Sequence, residues 1–301
     1  MNIRSHCVSL LRLAARAMSL LAAGTVVLAA PAMTIAADLY DTGAIPHVGT
    51  KARDSYYQQF LNAKSHRAFA IAPGGAWAWT SGKGSAKEAE QTTLAECGKR
   101  TRQSCVVYAV DDRVTFSREQ WSQLWRPYSS AEQAASAEVG TAIGQRFPNL
   151  VFTSPEGEPQ SVNRLRGRLA LLHFWGSWCP PCARELPSLD SFNRILRERL
   201  PVDVEVVLLQ MREPVQQAQR WFERQGVETL PLFDSGSKGI QDHYLTTAGT
   251  KKIPDRDIAR VFPSSYVLDR HGVVIFTHRG PITDWTEYLP FFMDAASQST
   301  R

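Results

Sequence analysis

The chain has 301 residues, 44% of them apolar and 21% charged, with a formal net charge of +5 at neutral pH. That length can bury the cores of two modest domains, and the balance of apolar and charged residues excludes a collagen-like, low-complexity or wholly disordered chain. The positive charge does not point to nucleic acid. Arg4, Arg12 and Arg16 lie in the first 32 residues with no acid among them, so without that segment the charge falls by three to +2, and no basic patch interleaved with aromatics stands out elsewhere.

Residues 1–32 read as a signal peptide. A basic start is followed by the apolar run Ala17 to Ala30, and Ala30-Pro31-Ala32 fits a small-x-small cleavage pattern, with Thr34-Ile35-Ala36 as a second site. The competing reading is an uncleaved anchor, because Ala17 to Ala37 carries no charge and is just long enough to span a bilayer. Pro31 and the Ala-rich tail favour cleavage. On either reading the remainder is exported, and contact with a membrane is expected only if the segment stays attached. Beyond it stand four cysteines, Cys97, Cys105, Cys179 and Cys182. An even count in an exported chain suggests pairing, most simply 97 with 105 and 179 with 182.

Residues 33–54 are polar and turn-rich and read as a linker. A small α+β domain is expected over 55–126. Ala68 to Ala72 and Trp77 to Thr80 read as strands joined at Pro73-Gly74-Gly75. Ser85-Ala86-Lys87-Glu88 is a capping box that opens a helix, with Ala86, Ala89, Thr93 and Cys97 on one face. Cys105 to Val110 is a third strand. A Cys97–Cys105 disulfide would tie the helix end to that strand as a structural staple, since seven intervening residues do not give the one-turn spacing of a redox pair. These features resemble a family of small exported domains of unknown function, a resemblance that carries no catalytic assignment.

Residues 127–141 are rich in Ser, Ala and Glu and read as a partly helical linker. A second domain is expected over 142–297. Val151 to Thr153 and Gln160 to Val162 flank a turn at Ser154-Pro155-Glu156-Gly157. Arg168 to Trp175 reads as a buried strand. The helix after it carries Leu186, Leu189, Phe192 and Leu196 on one side, with Pro187 a candidate kink. Then come a strand at Val204 to Leu209, a helix at Pro214 to Gln225, a hairpin of Ser264 to Asp269 with Val273 to Thr277, and a closing helix at Asp284 to Ala295. This order predicts an α/β fold with a mixed sheet and helices on both faces.

The chemistry concentrates in Phe174-Trp175-Gly176-Ser177-Trp178-Cys179-Pro180-Pro181-Cys182. A strand delivers Cys179 to the surface. The helix beginning there offers N–H groups and the positive end of its dipole, and both favour the thiolate, the reactive form. Cys182 follows one turn on, close enough to attack the first sulfur and release a bound partner.

This motif is joined in order by Gly144-Gln145-Arg146-Phe147-Pro148-Asn149, Leu165-Arg166-Gly167-Arg168, Glu185-Leu186-Pro187 and Val261-Phe262-Pro263-Ser264-Ser265-Tyr266-Val267-Leu268-Asp269. Together they resemble the periplasmic thioredoxin-like thiol:disulfide proteins, the group that contains the cytochrome c maturation reductases, over about half the chain. The resemblance implies a thioredoxin-like fold and a periplasmic setting. It implies Cys179 as the attacking thiolate and Cys182 as the resolving thiol. Trp178, Pro180, Pro181, Phe262 and Pro263 would shape the substrate groove, with Pro263 as the family's cis-proline and Phe262 offering main-chain hydrogen bonds. Glu185 either relays the Cys182 proton or is an ordinary acid of a first helical turn. The redox disulfide is then the whole of the chemistry, with no cofactor and no metal. Protein thiols and disulfides are the expected partners, with a membrane thiol reductase as electron donor.

Two features depart from the family. His173 stands where many thioredoxins have a buried acid and reads as a satisfied structural residue that could, if it titrates, couple pH to Cys182. Residues 246–257 read as an extra loop near the active-site rim, selecting a partner or simply solvated. The preferred function is a protein-disulfide reductase. The alternatives are a disulfide-introducing oxidant, a periplasmic copper-binding thiol module, which lacks paired His and Met-rich stretches, and a peroxiredoxin, whose single peroxidatic cysteine fits poorly. The first domain could also act as an adaptor that docks a partner.

Overall fold

The computed structural model describes residues 38–125, 130–200 and 204–299. The expected signal segment lies outside them. Among the described residues no helix is long and apolar enough to cross a membrane.

The described residues begin inside the expected 33–54 linker, and they are structured there. Helix α1 (Thr50–Ser55) runs on into a π-helical turn at Tyr56–Phe60. Ile45, Val48 and Ala52 are fully buried before the expected domain start. His47 explains the packing. Its ring lies against Trp121, Trp125 and Phe291, its Nδ1 accepts the Gly74 N–H at 3.4 Å, and its Nε2 therefore donates to Asp294 at 2.7 Å. Burial pushes the imidazole down, so it serves as a neutral tie between distant segments.

Strands β1 (Ala68–Ile71) and β2 (Trp77–Thr80) form the hairpin read from the sequence, with Phe69 paired to Trp79. At its turn Gly74 has φ +88°, and a Cβ there would come within 2.6 Å of the Phe276 ring, so the position requires glycine on both counts. Helix α2 (Ala86–Gly98) is capped by the Ser85 side chain, which accepts the Glu88 N–H, and it buries Ala89, Thr93 and Cys97 against the sheet. Strands β3 (Val106–Val110) and β4 (Arg113–Val114) complete an antiparallel sheet of order β2-β1-β3-β4. Cys97 and Cys105 are disulfide-bonded eight residues apart. Closing so short a loop restricts the unfolded chain by about 2.5 kcal/mol. Replacing both cysteines by alanine is therefore expected to lower the unfolding free energy by about that amount, checked by denaturant unfolding, while leaving thiol exchange intact.

Helices α3 (Arg118–Leu124) and α4 (Ala131–Ser136) follow, the latter opened by a Ser130/Gln133 capping box. This segment does not separate two independent bodies, as the expected 127–141 linker would. Residues 37–301 form one compact unit. The Gln103 amide donates to the Ile275 carbonyl at 2.9 Å, and the His47–Asp294 contact joins positions 247 apart.

Strands β5 (Val151–Thr153) and β6 (Pro159–Ser161) lead into β7 (Leu169–Trp175), buried along its whole length as a central strand must be. Then come α5 (Pro180–Arg199), β8 (Val204–Gln210), α6 (Val215–Gln225) and β9 (Leu232–Asp234). Strands β10 (Tyr244–Thr246) and β11 (Lys252–Pro254) form a separate hairpin, followed by α7 (Asp255–Ile258). Strands β12 (Ser264–Leu268) and β13 (Val274–Arg279), a 3₁₀ turn at Trp285–Tyr288 and α8 (Leu289–Ser299) close the fold. The large sheet has the order β13-β12-β7-β8-β9-β5-β6. Strands β7, β8 and β9 are parallel, and β12 and β13 are antiparallel. This is a thioredoxin-like α/β sheet preceded by a small disulfide-stapled α+β layer. The parallel register matters for function. Trp175 pairs with Gln210, so the segments leaving β7 and β8 emerge side by side at the carboxyl edge of the sheet.

Candidate active site

Cys179 is the N-cap of α5, and Pro180 and Pro181 occupy its first two positions. Proline suits that place because its fixed φ is already helical and its missing N–H is no loss there. The consequence is chemical. With two donors removed, Cys182 is the first residue of the helix with an N–H to offer, and it donates to Cys179 Sγ at 3.3 Å. The two cysteines are disulfide-bonded with their Cα atoms 5.3 Å apart. Cys179 keeps 4% exposure and Cys182 none. The pair is thus asymmetric, one sulfur at the rim of the protein and one sealed beneath it.

The loop before Cys179 is clamped by two residues that follow β8, Met211 and Glu213. The Met211 carbonyl accepts the Trp178 indole N–H at 2.8 Å. The Glu213 carboxylate accepts the Ser177 N–H at 2.7 Å and the Ser177 hydroxyl as well. Trp178 folds back over Gly176, where a Cβ would lie 2.3 Å from the indole nitrogen, so only glycine admits the ring. Between those two anchors Arg212 has φ +59°, a left-handed conformation that costs a residue with a side chain roughly 1 kcal/mol. Its guanidinium reaches the 246–257 insertion, where Nε and Nη2 form a bidentate pair with Asp255 at 2.6 and 2.8 Å. The insertion is therefore not merely solvated. Its tip is exposed, but Asp255 is fully buried.

The same elements frame the proline loop. The Phe262–Pro263 bond is cis. The Phe262 ring meets Trp178 edge-on at 5.3 Å and lies beneath the guanidinium groups of Arg212 and Arg256 at 5.6 and 5.4 Å. Cys179, Trp178, Phe262 and Pro263 are thus linked to one edge of the sheet, with Trp178 and Val261 exposed beside it. Trp175, in contrast, packs in the core against Trp221 and Phe222.

Glu185 is not an acid of the first helical turn. It lies in the second turn of α5 and is 2% exposed. Its Oε1 accepts the Ile282 N–H at 3.1 Å and the Trp285 indole N–H at 2.8 Å. Burial outweighs these bonds and pushes the carboxyl up to about 7. It shares the inner face of α5 with Cys182, three residues earlier, where side chains are neighbours. His173 is fully buried in β7, its Nδ1 2.9 Å from the Ser265 hydroxyl. Burial first, then the neighbouring His278, lowers it to about 3. The reading of His173 as fully satisfied does not hold, because its Nε2 has no hydrogen-bond partner.

Met211, Arg212, Glu213 and Asp255 were not singled out from the sequence. The signal that could have found the first three is topological. Once β7 and β8 are taken as parallel neighbours, whatever follows Gln210 must lie beside whatever follows Trp175. Nothing local marks Asp255. Among the described residues no group of three or more His, Cys, Asp or Glu side chains could hold a metal ion.

Residues 142–288 match the Redoxin family model. The chain is 27% identical over 141 residues to the thiol-disulfide oxidoreductase ResA of Halalkalibacterium halodurans, a match covering 47% of this chain and 70% of that one. It is 27% identical over 160 residues to the thioredoxin-like protein YneN of Bacillus subtilis, covering 53% and 81%. Among solved structures, StoA from Bacillus subtilis aligns at 22% identity with a TM-score of 0.36, covering 49% of this chain and 98% of that one. Residues 142–288 are thus similar to the Redoxin family and to thioredoxin-like thiol:disulfide oxidoreductases.

Proposed function

We propose that this protein is a periplasmic protein-disulfide reductase that works through Cys179 and Cys182. The observation that carries the reading is the asymmetry of the pair at the start of α5. Cys179 reaches the rim and is capped by the Cys182 N–H, while Cys182 is sealed. Reduced Cys179 attacks a protein disulfide as the thiolate and forms a mixed disulfide. Cys182 then loses its proton and attacks Cys179 Sγ, which releases the partner with its cysteine reduced and leaves the Cys179–Cys182 disulfide. The groove between Trp178 and the Phe262–Pro263 loop receives the extended partner chain. Glu185, buried one turn beyond Cys182 and poised near neutrality, takes up the Cys182 proton.

The reducing direction is supported by what the helix start lacks. A strong oxidant stabilises its thiolate, which makes its reduced form the favoured one. Here Pro180 and Pro181 strip two donors from the helix end, leaving a single N–H on the sulfur. The thiolate is held less firmly, and the disulfide is correspondingly the more stable form. Electrons must then come from a donor thiol, in this setting a membrane thiol reductase.

The test is capture. A Cys182→Ser variant of the reduced, mature protein should accumulate a mixed disulfide through Cys179 with a protein substrate bearing a disulfide, seen as a thiol-reversible adduct on a non-reducing gel. Absence of the adduct, with the variant folded, would remove the proposal.

A further inference from the structure

We propose that His173 is a positioning residue for the resolving half of the exchange: it faces Glu185 and shares one proton with it, so that the carboxyl can change charge inside the core. The inference rests on the reading of Cys179 and Cys182 as the exchanging pair.

His173 Nε2 and Glu185 Oε2 lie 3.9 Å apart, and both residues are completely enclosed by side-chain exposure. Neither atom has a hydrogen-bond partner. Buried polar atoms are nearly always paired, so two orphans that face each other are each other's natural partner, and a small rotation of either side chain closes the gap. The outer ends of this pair are held. Ser265 stands opposite His173 in the β12–β7 register and contacts Nδ1, and Glu185 Oε1 is fixed by Ile282 and Trp285.

The Ser265 hydroxyl can donate or accept, and this makes the chain of groups reversible. With Glu185 ionised, His173 Nε2–H donates to Oε2 and Nδ1 accepts the Ser265 O–H. With Glu185 protonated, Oε2–H donates to Nε2, and Nδ1–H donates to Ser265 Oγ. Both arrangements keep the imidazole neutral, in agreement with its strong desolvation. The other titratable groups around the pair stay uncharged near neutrality. Tyr288, on the 3₁₀ turn, is pushed up to about 12, and burial lowers His278 on β13. On α5 itself the facing group is Cys182.

In the resolving step Cys182 Sγ–H gives its proton to the Glu185 carboxylate. The thiolate attacks Cys179 Sγ, and the bond from Cys179 to the partner sulfur breaks. The partner sulfur leaves with the electron pair and takes up a proton, and Glu185 returns to the carboxylate. The Cys179–Cys182 pair has then lost two electrons and the partner disulfide has gained them. His173 changes tautomer as Glu185 gains and loses its proton.

Two measurements test this. In the wild-type protein, ¹⁵N NMR of the histidines across pH 5–9 should show His173 swapping its protonated nitrogen at the Glu185 midpoint without becoming an imidazolium. A His173→Leu variant leaves Glu185 Oε2 without a donor and so disfavours the charged form. The midpoint of the pH profile for resolution should rise by about one unit, and the rate at pH 7 should fall roughly five- to tenfold. His173→Gln, whose amide can donate or accept, should keep most of both. Capture by Cys179, measured in a Cys182→Ser background, should be unaffected. A fixed His173 tautomer, or an unmoved midpoint in folded His173→Leu, overturns the proposal. Loss of capture in the Cys182→Ser background overturns instead the reading on which it rests, and the tautomer experiment decides the His173–Glu185 pair independently of that result.

Discussion

Replacing Cys179 by serine should lower the rate of disulfide reduction at least about a thousandfold, to the background of the assay. The attacking species is a thiolate, and a serine hydroxyl does not ionise near neutral pH. Cys182 cannot substitute, because it is fully buried. Nor can the Cys97–Cys105 disulfide, which sits in the other sheet layer with Cys97 buried. The variant should remain folded, since the exchange of Sγ for Oγ removes a cap acceptor and replaces it with another. Turnover of a protein-disulfide substrate, measured with an excess of thiol donor, checks this. Activity within tenfold of the wild type would remove Cys179 from the mechanism.

The second large effect is on stability. Glu185 is held at about 7 in the disulfide form, above the ordinary carboxylate value of 4.5. A folded-state value that is raised gives stability that is full below the unfolded value and is lost as pH rises through the folded one. For Glu185 the loss should therefore develop between about pH 4.5 and 7 and be complete by about pH 8. Its upper size follows from the shift, on the order of 3 kcal/mol. Glu185→Gln keeps an oxygen for Ile282 and Trp285 and has no charge to bury. We expect the oxidised variant to match the wild type at pH 5 and to melt roughly 5–10 °C higher at pH 8. Its resolving step should slow, because the amide cannot take the Cys182 proton. Calorimetry at the two pH values checks the first expectation. Equal destabilisation at both would show that Glu185 matters for packing and not for charge.

Much of the fold was legible because its central pieces announce themselves locally. Arg168 to Trp175 reads as a buried strand because it is apolar apart from Arg168 and His173, and β7 occupies all of it but Arg168. Val204 to Leu209 became β8 with one residue added. The Cys-Pro-Pro-Cys run and Phe262-Pro263 lie far apart in sequence, yet Trp178 and Phe262 touch, as the family resemblance implies. What was not legible depends on distant partners. Residues 33–54 read as a linker because they are polar and turn-rich, and Ile45 and Val48 are buried in a segment where His47 docks onto Asp294 near the other end of the chain. The joining of the two sheet layers into one unit was not legible for a related reason, since the contacts that make it, such as Gln103 to Ile275, leave no periodic trace. At the site, Arg212 sits in a backbone conformation that the sequence does not advertise, and its partner Asp255 lies in a segment that looked like tolerated insertion.

These unseen contacts converge on one place. Met211, Arg212 and Glu213 bind the cysteine loop, the insertion and the proline loop through three consecutive residues. The groove beside Cys179 is thereby built from four segments held to a common point, which is how a site on loops acquires the rigidity of a site on strands.

The most direct test of the central claim is the reduction potential of the Cys179–Cys182 pair. It is measured on the mature protein by equilibration with glutathione redox buffers, following the fluorescence of the tryptophans beside the disulfide. A helix start stripped of two donors predicts a value below about −220 mV, a reductant that depends on a donor thiol. A value near about −120 mV would contradict the account, placing the protein among the oxidants that introduce disulfides.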